Sequence, residues 1–156
     1  MKKIIVLFTA LLFLATAGFA QKKHHHASRA KKIVKVEIAP AAVQSAFAQN
    51  FSNAADVKWK KTAAGNWDAA FKQDSLQTDA EYTETGNLIT THTEYTAENL
   101  PGNILNAVKA KYPDAAVREG IKIQRTDVAS YYKVSIDQGG ANKDLLINET
   151  GTTITE

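Results

Sequence analysis

The sequence predicts an α+β domain with two helices on one face of a continuous antiparallel sheet. Three observations point there: a segment written twice, two short apolar stripes that each begin at a proline, and period-two alternation after each stripe. Pro40-Ala41-Ala42-Val43, Phe47 and Phe51-Ser52-Asn53-Ala54-Ala55 recur as Pro101-Gly102-Asn103-Ile104, Val108 and Tyr112-Pro113-Asp114-Ala115-Ala116. The offset is 61 throughout (101 − 40, 104 − 43, 108 − 47, 112 − 51), and Glu84-Thr85-Gly86 returns as Glu149-Thr150-Gly151 at 65. Two copies are too few for a solenoid. They read as a duplicated strand–helix–three-strand unit whose halves share one core, because neither half alone buries enough apolar surface.

The elements follow in order. Lys2 and Lys3, the apolar run Ile4 to Leu14 and the small residues Gly18 and Ala20 have the pattern of a secretory signal peptide cleaved after Ala20. The run is too short to span a bilayer. Residues 21–35 form a basic, low-complexity linker with Lys22, Lys23, His24, His25, His26, Arg29, Lys31, Lys32 and Lys35. A single domain is expected over 36–156, with repeats near 36–88 and 89–156. Ile33, Val34, Val36 and Ile38 alternate as a first strand into Pro40, and Val43, Phe47 and Phe51 mark the first helix. Val57, Trp59, Trp67, Ala69 and Phe71 alternate with lysines and Asp68 across a turn at Gly65. Thr91 to Thr96 opens the second copy. Leu100-Pro101 starts its helix, Ile104, Leu105, Val108 and Tyr112 stripe it, and Pro113 ends it. Ile121 and Ile123, then Tyr132, Val134 and Ile136, then Leu145 to Ile147 supply its strands, with a short last one near Thr153 to Thr155.

Composition narrows the function. The formal net charge is +3, yet from Ile38 onward 11 basic residues face 15 acidic ones, a net of −4. A nucleic-acid partner, which needs a basic face on the fold itself, is not expected. There is no cysteine, hence no disulfide and no lipid-modified N-terminal cysteine, so the predicted location is periplasmic or secreted and not a lipoprotein. No second apolar run follows the signal segment, so no membrane span is expected in the mature chain. No phosphate loop, nucleophile elbow or zinc-protease motif occurs, and no catalytic residue, cofactor or enzyme activity is predicted. His24, His25 and His26 are the weak metal candidates, since an imidazole cluster in a low-complexity tract lacks a fixed geometry. His92 reads as a strand residue, while Asp74, Asp79, Asp137 and Asp144 read as turn acids. Asn50-Phe51-Ser52 and Asn148-Glu149-Thr150 match the N-glycosylation triplet. Asp74-Ser75-Leu76 resembles the aspartate–serine–aliphatic site for O-linked glycans on exported proteins, which makes Ser75 a candidate for modification.

Several of these residues also carry a family resemblance. Phe51-Ser52-Asn53-Ala54, Val57-Lys58-Trp59, Trp67-Asp68-Ala69-Ala70-Phe71, Ala80 through Leu88, and Leu100-Pro101 through Pro113 resemble the PepSY-like family of exported bacterial proteins. Its fold is likened to that of the beta-lactamase inhibitor protein. The resemblance implies an exported non-catalytic binding module, inhibitor-like or regulatory, acting on another envelope or secreted protein. The competing expectation is a small-ligand carrier or sensor with a cavity between helices and sheet. If the helices cover the face bearing Val57, Trp59, Phe71, Val134 and Ile136, alternation sends their neighbours to the open face. That face is expected to carry Lys58, Lys60, Lys72, Lys122, Tyr131 and Lys133, with Asp68, Glu81, Thr83 and Ser135. Tyr131 would anchor a partner there, and the lysines would steer an acidic one.

Overall fold

The computed structural model describes residues 37–154. Their elements are α1 (Ala41–Asn50), β1 (Ala55–Lys61), β2 (Trp67–Gln73), β3 (Leu76–Tyr82), β4 (Leu88–Thr96), α2 (Gly102–Lys111), β5 (Ala116–Arg125), β6 (Tyr131–Gln138) and β7 (Ala141–Asn148). The seven strands form one antiparallel sheet in sequence order. Short hairpin turns join neighbouring strands within each half, while β4 reaches its antiparallel neighbour β5 through α2. Both helices lie on the same face, giving a two-layer α+β fold.

The prolines act as read from sequence. Pro40 and Pro101 sit at the N-caps, where a missing N–H costs nothing. Both helices end alike. Phe51 and Tyr112 leave the helical region at φ −135° and −136°, donating their N–H groups to Phe47 and Val108. Each helix buries two side chains, Val43 and Phe47 on α1 and Ile104 and Val108 on α2.

Two apolar cores result. Around α1 they are Trp67, Ala69, Phe71, Ala80 and Tyr82; around α2, Tyr132, Val134, Ile136, Leu145 and Ile147. Phe47 centres the first, its ring 4.9 Å from Phe71, 5.2 Å from Trp59 and 6.4 Å from Tyr82. Between the cores lies a seam of buried threonines. Thr78 and Thr91 are 1% and 5% exposed, and the Thr78 and Thr93 hydroxyls meet at 3.4 Å.

Each helix is also seated on a glycine turn. Gly86 has φ 90°, and a Cβ there would lie 2.8 Å from the Ala42 carbonyl oxygen of α1. Gly151 has φ 89°, and its Cβ would lie 3.1 Å from the Asn103 carbonyl oxygen of α2, at the equivalent site (103 − 42 = 61).

Three expectations need correction. Glu37 and Ile38 are not in a strand, and Ile38 is 74% exposed; nothing in the described body pairs with them in a ladder, and the rest of the predicted first strand lies outside the described residues. Val57 is 37% exposed rather than core, because the β1–β2 register shifts between Ala55 and Lys58 and Asp56 takes φ 57°. Such a bulge bends an edge strand away from its neighbour. Trp59 is only half-buried, packed against the rim of the first core. At the far end, Thr153 forms an isolated bridge with Ile147, and Ile154 donates its N–H to the Leu146 carbonyl.

Candidate functional site

The bare face of the sheet is defined by register, since directly opposed residues on neighbouring strands share a face. One row runs Lys58, Ala70, Asp79, His92, Ile123, Tyr131 and Asn148. A second joins Lys60, Asp68, Glu81, Thr90 and Arg125. A third joins Glu94, Ile121, Lys133 and Leu146. Ile121, Ile123, Tyr131 and Leu146 therefore form a half-buried apolar strip on β5 to β7 that belongs to neither core.

Acidic residues cluster on the same face on β2 and β3, with β4 between them and the strip. Asp68 lies opposite Glu81, and Asp79 is one row away on the same strand as Glu81. All three are half-buried. Glu81 accepts a hydrogen bond from the Asn66 side chain at 2.9 Å. Burial pushes the Asp68 carboxyl above the usual carboxylate range, and the charges of Asp79 and Glu81 add to it, while Lys60 and His92 oppose. Among the described residues none of these three carboxylates enters a salt bridge.

The lysines of the face are differently placed. Lys72 pairs with Asp56 at 2.8 Å and Lys133 with Asp144 at 2.8 Å. The bonds from Lys133 and then Ser135 hold the Asp144 carboxyl below its ordinary range. Lys58 and Lys60 sit on the edge strand β1. Lys122 is a correction: it faces the helices. It opposes Tyr132, lies 5.9 Å from that ring's centroid, and pairs with Glu149 at 2.8 Å. Its hydrogen bond with Glu149 raises its pKa despite partial burial. Ile121 and Ile123 take the outward positions that sequence alternation assigns to Lys122. Thr83 is a second correction, since it belongs to the β3–β4 turn, where its hydroxyl accepts from the Asn87 N–H.

Other candidates fall as follows. Ala20, His24, His25 and His26 lie outside the described residues. Among the described residues, no three His, Asp or Glu side chains are arranged to hold a metal ion. Asp74 and Ser75 form the exposed two-residue turn between β2 and β3, at φ 49° and 69°. The equivalent turn between β6 and β7 uses Gly139 and Gly140. The helix–sheet interface, where a carried small molecule would sit, is occupied by the Phe47, Phe71 and Tyr82 rings and by Ile104 and Ile136. No helix among the described residues is long and apolar enough to cross a membrane.

A meander that, among the described residues, is backed on one side by two helices and carries none on the other defines a beta-lactamase-inhibitor-like α+β protein. Solved structures share this layout. A BLIP-like protein from Bacteroides fragilis superposes with TM-score 0.67 at 22% identity, over 76% of this chain and 85% of its own. A DUF2874 family protein from Bacteroides ovatus gives 0.65 at 18%, over 76% and 86%. A protein from Bacteroides eggerthii described as a "putative periplasmic" protein gives 0.63 at 19%, over 76% and 88%. Comparison with curated proteins finds no match. The sequence profile of the family described as "Putative beta-lactamase-inhibitor-like, PepSY-like" matches residues 65–155, and the chain belongs to that family.

Proposed function

We propose that this protein is an exported, non-catalytic binding module whose bare sheet face docks onto another envelope or secreted protein. The observation that supports it is the apolar strip of Ile121, Ile123, Tyr131 and Leu146, half-buried on the sheet face opposite the two described helices. An aromatic within an aliphatic strip is what interface hot spots are built from. The inhibitor-like description of its family agrees with a protein-directed role. Export accords with the N-terminal sequence pattern and with the periplasmic description of a structural relative.

The test is affinity capture from envelope extract with the mature protein as bait, repeated with Tyr131→Ala. Tyr131 lies outside both cores, so the variant should keep the parent's thermal midpoint. It should weaken capture about tenfold, equivalent to about 1.4 kcal/mol. Undiminished capture by Tyr131→Ala would move the interface off this face.

A further inference from the structure

We infer that the partner of the bare face is cationic: a surface segment that presents arginine or lysine side chains next to aromatic or aliphatic ones. This rests on the docking role proposed for that face and adds the chemistry of what docks. Two features that abut on β3 to β6 carry it. The apolar strip calls for aliphatic or aromatic partner groups. Immediately beside it, Asp79 opposes His92, which opposes Ile123, and Glu94 opposes Ile121. A partner side chain seated on Ile121 has the Glu94 carboxylate one strand away, and one seated on Ile123 has Asp79 two strands away, within about 10 Å at the usual interstrand spacing.

Charge complementarity decides the sign. The carboxylates of Asp68, Asp79 and Glu81 stand together on adjacent strands without a salt bridge among the described residues. Like charges opposed across a strand pair are destabilising; Lys60 and His92 offset part of this repulsion in the free protein, and a bound guanidinium or ammonium relieves what remains. The lysines read from the sequence as steering an acidic partner are positioned otherwise. Lys72 and Lys133 are paired with Asp56 and Asp144, and Lys122 faces the helices. Lys58 and Lys60 remain on β1, away from the strip on β5 to β7, with Lys60 directly opposite Asp68. Arginine fits best, since its planar fork pairs with two carboxylates while its face stacks on a tyrosine ring.

The experiment titrates the isotope-labelled full mature chain with two synthetic hexapeptides, one alternating arginine and tryptophan, the other glutamate and tryptophan. Amide shifts report where each binds. The arginine peptide should shift amides of β3 to β6 and bind at least tenfold tighter than the glutamate peptide, with affinity falling as salt rises. The double variant Asp79→Asn, Glu81→Gln keeps the side-chain shapes and should cost the arginine peptide at least tenfold in affinity. Equal or tighter binding of the glutamate peptide at the same amides would overturn the cationic assignment and leave the docking face standing. Arginine-peptide binding that ignores the double variant would overturn it equally. Shifts confined to the helices, or none at millimolar peptide, would overturn the charge assignment and the docking face together.

Discussion

Phe47 and Trp59 show how far single residues could be read. Both are large aromatics at apolar positions, and alternation alone ranks Trp59 as a central core residue. Phe47 is instead the hub, 7% exposed and in ring contact with Phe51, Trp59, Phe71 and Tyr82, whereas Trp59 sits half-buried on an edge strand. Phe47→Ala should therefore cost about 3–5 kcal/mol, the range for emptying a buried aromatic site. Trp59→Ala should cost distinctly less; urea denaturation of the two variants makes the comparison, and a larger loss at Trp59 would show that the first core is centred elsewhere. Gly86 offers a second test at this scale. An alanine there meets both a left-handed backbone, worth roughly 1–2 kcal/mol of strain, and the Ala42 carbonyl at 2.8 Å. Gly65 has nearly the same φ, 89°, but open space around its missing Cβ. Gly86→Ala should thus destabilise more than Gly65→Ala in the same denaturation series, and equal losses would mean the helix seat yields freely. Sequence marks both glycines as turns; only the approach of a helix distinguishes them.

The elements were largely legible, because prolines, glycine turns and alternation are local. Pro40, Pro101, Gly65 and Gly86 mark boundaries that recur in the fold. What was not legible is the face of β5. Its apolar Ile121 and Ile123 look like core, and Lys122 looks like surface. Inward space there is instead taken by Lys122, whose ammonium lies 5.9 Å from the Tyr132 ring centroid and pairs with Glu149. A register shift between Val117 and Glu119 separates this stretch from the start of the strand, and no local pattern records it. The acid pair on β2 and β3 has a consequence that belongs to this scale. Asp68 binds its proton more tightly in the native state, so its contribution to stability is full below the unfolded-state pKa and is lost as pH rises through the native one. Asp56, Asp137 and Asp144 act oppositely: hydrogen bonds from Lys72, Arg118 and Lys133 lower their pKa values, and their stabilisation is lost as pH falls. Asp79→Asn removes a charge that raises Asp68. It should lower the Asp68 midpoint in a carboxyl NMR titration and raise stability at pH 7 by roughly 0.2–1 kcal/mol, the scale of a cross-strand pair. A variant less stable than the parent at pH 7 would show the carboxylates are not in conflict.

At the scale of the molecule, the two cores share no side chain among the described residues, and the threonine seam and the β4–β5 ladder join them. A half of about 60 residues is marginal for independent folding. A chain cut after Thr96, carrying residues 37–96, should accordingly be unfolded, with random-coil amide dispersion, while the whole protein melts in one transition. A folded half would mean that the β4–β5 ladder contributes nothing essential.

The separation of the two apolar clusters also bears on how such a scaffold diversifies. Free-energy changes at sites without shared partners add nearly linearly. A substitution beneath α1 is then felt by α2 only through the common stability threshold, not through repacking. One half can accumulate neutral drift, or be remodelled toward a new target, while its counterpart keeps the sheet in shape. The strip proposed for docking lies on β5 to β7 and most of the carboxylates on β2 and β3, so on that proposal aliphatic fit and charge preference are encoded in different halves and can be selected independently.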